Sequence, residues 1–175
     1  MSRPRLLPPI AGLLAAACMA GAGWAQTPIP PPANDFAMMS AQSDAYEIQA
    51  GRDAAVQGVD PRIRSFGEQM VADHTRSSEA LRQAAVASGL PPPPDAMGPD
   101  QARMLSALQS LRGPDFDRAY AKQQALAHHQ ALAVQQSYAA AGGDPNLRRA
   151  AQQAVPMIQQ HLQMAEQLRS ALGGS

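Results

Sequence analysis

The sequence predicts an all-α protein, an antiparallel four-helix bundle with one short extra helix between the second and third long ones. Three observations carry this. Four long segments repeat apolar residues at intervals of three and four, no segment alternates with the period of two that a strand requires, and most connectors are short. Each helix also shows start or stop signals of its own.

The first helix is expected from a cap at Asn34 or Asp35, with Phe36, Met39, Ser43, Tyr46 or Glu47, Ala50 and Ala54 along one side. Gly58 ends it, and its apolar face is weak. Asp60-Pro61 starts the second, because aspartate accepts orphan amide hydrogens and proline has none to lose at the first helical position. Its stripe reads Ile63, Phe66, Met70, His74, Ser77, Leu81 and Ala84, and Ser88-Gly89 before Pro91 to Pro94 stops it. Four consecutive prolines make a stiff, extended connector.

Residues 100–112 carry Met104, Leu105, Leu108 and Leu111, enough for a short helix across or beside the bundle. The third long helix runs from about Asp115 to Ala141, with Phe116, Tyr120, Ala127, Ala131, Val134 and Tyr138 on one face, and ends at Gly142-Gly143. Asp144-Pro145 repeats the cap-and-proline signal. The last helix aligns Leu147, Ala151, Ala154, Ile158, His161, Ala165, Leu168 and Leu172, and Pro156 inside it is expected to bend it. Alanine-rich stripes let such helices approach closely, and a core of this kind buries less apolar area than leucine would, so moderate stability is expected.

Ahead of the bundle domain, residues 35–172, two other segments are expected. Arg3 and Arg5, the apolar run Ile10 to Ala22 and the small-x-small ending Gly23-Trp24-Ala25 read as a signal peptide over residues 1–25, which implies export to the periplasm. A retained anchor is the alternative, though the run is short for a membrane span. Residues 26–34, rich in proline, form a flexible tether. Ala15-Ala16-Ala17-Cys18 offers a variant of the export reading, in which Cys18 carries a lipid. Otherwise the only cysteine leaves with the signal, and disulfide and thiolate chemistry leave with it.

Removal of residues 1–25 leaves 12 basic against 14 acidic groups, a net charge of minus 2. The basic groups are scattered and aromatics are few, so neither an electrostatic footprint nor a stacking platform for nucleic acid is present. No nucleophile beside a base and no phosphate-binding loop points to an enzyme.

Chemistry is expected instead at mid-helix. His74, His128 and His161 lie near the middle of three different helices, and Glu47 near the middle of a fourth. Counted from their helix starts, at 11 to 16 residues, the four heights agree to within about 8 Å. Azimuth separates them. His74 and His161 lie on apolar stripes. His128 sits at the edge of its stripe, on the side of Asp117, Gln124 and Gln135, and its neighbour His129 points to solvent. Asp73, about 100° around its helix from His74, and Glu166 are expected to be solvated, or at most outer partners of the site.

Two readings of this layer stand. Buried imidazoles need partners for a donor and an acceptor each, and a metal ion satisfies the acceptors. Three imidazoles and a carboxylate suit one zinc, iron, manganese or copper ion, while calcium lacks oxygen ligands here. Alternatively Glu47, Gln124 or Tyr46 satisfies the rings in a polar layer that sets helix register, and the protein is a non-enzymatic envelope module meeting a protein partner. A carboxylate-bridged metal pair would need glutamates three residues before the histidines, where Val71, Ala125 and Ile158 stand.

Three blocks add a resemblance: Phe66-Gly67-Glu68-Gln69-Met70-Val71-Ala72-Asp73-His74-Thr75, then Gly113-Pro114-Asp115-Phe116-Asp117-Arg118-Ala119-Tyr120 followed by His128, then Val155-Pro156-Met157-Ile158-Gln159-Gln160-His161-Leu162. Over roughly residues 35–170 the chain resembles the exported bacterial family catalogued as domain of unknown function 4142. The resemblance implies a ferritin-like helical bundle in the periplasm or at the outer membrane, and brings no established activity. It matches His74, His128 and His161, and less closely Glu47. The four-proline connector and the extra His129 depart from the family pattern.

Overall fold

The computed structural model describes residues 29–173, so the signal-like segment with Cys18 and the first residues of the tether lie outside it. Five helices follow in order: α1 (Ala33–Gln57), α2 (Pro61–Ala87), α3 (Pro99–Gln109), α4 (Gly113–Ala141) and α5 (Pro145–Ala171). No strand occurs among the described residues. The expected bundle is therefore present, with its short extra helix in the expected place. No helix among these residues is long and apolar enough to cross a membrane.

The caps differ from one another in a way that local chemistry explains. Asp60 accepts from the Arg62 amide, and Asp144 from the amides of Asn146 and Leu147, so both cap-and-proline signals work as read. The expected cap of α1 at Asn34 or Asp35 is not used. That helix begins at Ala33, where the carbonyl of Pro32 already accepts from Phe36 at 2.9 Å, and Asp35 lies within the first turn. An acidic group there still complements the helix dipole. Likewise α4 begins two residues before Asp115, and α3 stops at Gln109, short of Leu111. Helix α5 continues through Pro156, whose side is exposed to solvent.

Helix directions follow from contacts at the two ends. At one end Phe36, at the start of α1, stacks on Tyr138, near the end of α4, with ring centroids 3.9 Å apart. At the other, Asp117 near the start of α4 accepts from the amides of Val59 and Asp60, in the α1–α2 turn, at 3.1 and 2.7 Å. Ser88 at the end of α2 meets Asp144 at the start of α5. Each neighbouring pair, α1–α2, α2–α5, α5–α4 and α4–α1, is thus antiparallel, while α2 and α4 run parallel across the diagonal. The segment from Ser88 to Arg112 must return the full length of the bundle, which accounts for its extended prolines and for α3. One long crossover of this kind is the topology of ferritin-like bundles.

Packing is closest between α1 and α2. A Cβ on Gly67 would lie 2.6 Å from the Gly51 carbonyl oxygen, and one on Gly51 would lie 2.8 Å from that of Gly67, so the two backbones touch. Buried alanines on the remaining faces extend the same principle. Two apolar clusters fill the ends: Phe36, Leu81, Tyr138 and Leu147 with their alanines at one, and Ile63, Phe66, Met70, Leu108, Phe116, Tyr120 and Leu168 at the other. A polar layer separates them.

Candidate metal centre

Each long helix sends polar side chains into that layer. Helix α1 contributes Ser40, Asp44 and Glu47, α2 contributes His74, α4 contributes Gln124, His128 and Gln135, and α5 contributes His161; all are buried. The three imidazoles form a nearly equilateral triangle, with ring centroids 5.5, 5.4 and 5.4 Å apart. One nitrogen from each ring lies within 4.8 Å of one from each of the others.

One nitrogen of every ring is already engaged. Nδ1 of His74 lies 2.8 Å from Oδ1 of Asp44, Nδ1 of His128 lies 2.9 Å from the Gln124 carbonyl oxygen, and Nε2 of His161 lies 2.8 Å from Oδ2 of Asp73. These oxygens accept, so in the neutral rings the engaged nitrogens carry the hydrogens. The other nitrogens, Nε2 of His74, Nε2 of His128 and Nδ1 of His161, are then bare lone pairs. All three are buried and have no hydrogen-bond partner. An imidazole whose far N–H is held by a carboxylate or carbonyl is the arrangement that orients metal-binding histidines.

Electrostatics favours the neutral form in two of the three. Burial pushes His128 down to about 3, helped by His74 and His161. Burial and then His74 push His161 down to about 4 against the pull of Asp73. For His74 burial also opposes charge, but the hydrogen bond and charge of Asp44, with Glu47 and Asp73 behind it, outweigh burial and raise it.

Glu47 reaches the layer but stands beside the triad rather than in it. Its Oε1 is 3.8 Å from Nδ1 of His128, the nitrogen already given to Gln124. Its Oε2 is buried without a partner, and burial pushes the carboxyl up to about 7, with His74 acting against that rise. Of the four sequence-read positions, the structure therefore brings together His74, His128 and His161, with Glu47 as a flanking carboxylate. His129 is exposed and pairs at the surface with Glu166, 3.0 Å away, so neither belongs to the layer.

The position of His128 corrects the edge placement expected for it. Only 1% of the residue is exposed, because Asp117, Gln124 and Gln135 are buried with it and widen the inward face of α4 toward that side. Asp44 was missed by the sequence reading. The spacing Ser40, Asp44, Glu47 at four and three was its available signal, a polar stripe on the face that also carries Phe36 and Ala37. Asp73 proves to be an outer partner rather than a solvated charge. Set one helical step, about 100°, around α2 from His74, it meets His161 of α5, and Gln69 and Arg76 bind its oxygens from α2 itself.

Comparison with solved structures agrees with the architecture. The chain is similar to CopM in the Cu(II)-bound form, with a TM-score of 0.69 and 15% identity over 82% of this chain and 99% of that one. It is also similar to a DUF305 fragment from Deinococcus radiodurans, with a TM-score of 0.67 and 19% identity over 83% of this chain and 99% of that one. At these identities the likeness shows the fold. No curated protein sequence matches the chain. The sequence profile of the domain of unknown function DUF4142 matches residues 18–168, nearly the whole described bundle and every histidine of the layer, and the chain belongs to that family.

Proposed function

We propose that the protein binds one transition-metal ion through His74, His128 and His161. The observation that carries this reading is the set of three buried ring nitrogens, none with a hydrogen-bond partner, that lie within 4.8 Å of one another. Left bare, each buried acceptor costs on the order of 1–3 kcal/mol, and a cation shared by three of them removes that cost at one stroke. Imidazole donors suit copper, zinc and iron, and the likeness in fold to CopM in its Cu(II)-bound form supports copper as the first of these. Glu47 would lend negative charge close by, lowering the electrostatic cost of a divalent ion in the core.

The chemistry such an ion supplies is binding and, for copper, one-electron exchange. The chain's own residues fix ring orientation through Asp44, Gln124 and Asp73 and hold the layer between two apolar clusters. The place of action we propose is outside the cytoplasm, in the periplasm, on the strength of the N-terminal pattern Arg3, Arg5, Ile10 to Ala22 and Ala25, with a lipid on Cys18 as its variant form. A polar layer that only sets helix register is the second reading, favoured by the single hydrogen bond that each ring already holds.

Metal analysis of the purified protein decides between the two. One equivalent of metal in the wild type, lost in His74→Ala and His161→Ala variants that keep their helical circular dichroism, is the expected result. Equal metal content in all three would sink the metal reading and leave the register layer.

A further inference from the structure

The histidine layer is connected to the surface. A cleft of about 500 Å³ opens between α1, α3 and α4, and both His74 and Asp44 line it. Ser40, Met104, Ala131 and Gln135 belong to its walls. A smaller cavity of about 180 Å³ lies on the Asp73 side and shares Ser40 and Gln135 with the cleft. Between the two, Gln135 donates through Nε2 to Ser40 Oγ at 3.0 Å, while its own Oε1 is buried and has no partner. The cleft thus ends on a polar wall with an acceptor to spare.

Three imidazoles do not complete the coordination of a zinc or copper ion, which takes four or more donors. Glu47 cannot supply the fourth from where it stands, beside the engaged nitrogen of His128. Sites that protein ligands fill completely hold structural ions, whereas sites with three protein ligands leave a position for water or another small donor. The α1–α3–α4 cleft reaches one member of the triad, His74.

Building on the metal reading above, we propose that the ion keeps one exchangeable position, filled from this cleft by water or a small anionic donor, and that the ion loads and leaves by the same route. The metal is then an exchangeable or reactive ion rather than a permanent brace. Helix α3, placed over α1 and α4 by the crossover, forms the outer wall of the passage.

Azide and a chelator test the proposal on the purified full chain loaded with Cu(II). Azide should displace bound water and produce a saturable azide-to-copper charge-transfer band. Removal of copper by EDTA should be clearly slower in Ala131→Trp, which narrows the cleft, than in the wild type. Ala133→Trp, on the exposed face of the same helix, should release copper at the wild-type rate. Silence toward azide, or equal release from the wild type and Ala131→Trp, overturns the proposal. The azide measurement uses unaltered protein, so it decides even if the tryptophan variant folds poorly. A wild type that takes up no copper refutes the earlier reading instead.

Discussion

His128 donates through Nδ1 to the backbone carbonyl of Gln124, one turn earlier on α4, at 2.9 Å. A carbonyl can only accept, so this contact fixes the tautomer of a side chain that is 1% exposed, and leaves Nε2 as a lone pair with no donor near it. Carboxylates hold one nitrogen of each of the other two rings, and fix the tautomer of each in its neutral form. The helix itself thus prepares one ligand, while α1 and α2 supply the oxygens that prepare the others.

The first prediction concerns those tautomers in the metal-free protein. Nitrogen-15 spectra should show His128 as the Nδ1–H form and His161 as the Nε2–H form. Burial holds the two down at about 3 and about 4, so both should remain neutral at pH 5, where an ordinary histidine is largely charged. His74 should stay charged above the usual histidine range. An Nε2–H form of His128, or its protonation near pH 6.5, would contradict the geometry.

Removal of the outer partners should weaken metal binding without unfolding the bundle. Asp44→Ala frees Nδ1 of His74 and Asp73→Ala frees Nε2 of His161, and losses of such partners lower affinity by about 10–100-fold. Asn at either position keeps an accepting oxygen, so its loss should be smaller. Competition with a chromophoric chelator measures the order. Equal affinities for wild type and both alanine variants would show that these aspartates do not position the rings.

His74 and His161 were legible in the sequence because each replaces an apolar residue in a clear period, between Met70 and Leu81 on α2 and between Ile158 and Ala165 on α5. His128 was harder to place. The apolar period of α4 passes by Asp117, Gln124 and Gln135, which are nonetheless three of its ten buried residues. Asp44 escaped for a related reason, since α1 buries small and polar groups that give a weak periodic signal. Gly51 and Gly67 carry no hydrophobic signal whatever, although their contact sets the spacing of α1 and α2. The parallel diagonal of α2 and α4 depends on where the crossover ends, which periodicity along single helices does not encode.

Glu47→Gln should change how stability depends on pH. Burial raises the Glu47 carboxyl from 4.5 to about 7 in the folded protein, against the pull of His74. Between those values the folded state holds a proton that the unfolded state has released, so the wild type loses stability as pH rises from 4.5 through about 7. The span corresponds to roughly 3 kcal/mol. Glutamine does not titrate, and groups remote from Glu47 cancel when the two proteins are compared, while the small support that Glu47 gives to the charge of His74 is lost. Denaturant melts of metal-free protein should therefore find Glu47→Gln near the wild type at pH 4.5 and clearly more stable at pH 8. A difference that is constant with pH would mean that Glu47 ionises in the core without penalty.

Gly67→Ala opposes two effects whose sizes decide the outcome. Alanine is the better helix former by about 1 kcal/mol. Its Cβ, however, would lie 2.6 Å from the Gly51 carbonyl oxygen and 2.9 Å from the Ala55 nitrogen, and these are backbone atoms of α1 that cannot swing aside. Overpacking of this kind costs about 1–3 kcal/mol, and the rigid partner places it at the upper end. The variant should melt lower, by about 2–4 °C for each kcal/mol lost. Gly143→Ala, with nothing within 4 Å of its Cβ, should melt as the wild type does. Since α1 must move away from α2 to admit the methyl group, Asp44 should also retreat from His74, and metal affinity should fall with the melting temperature. A Gly67→Ala protein as stable as the wild type would show that the helices separate freely at this contact, and that the 2.8 Å Asp44–His74 bond does not depend on it.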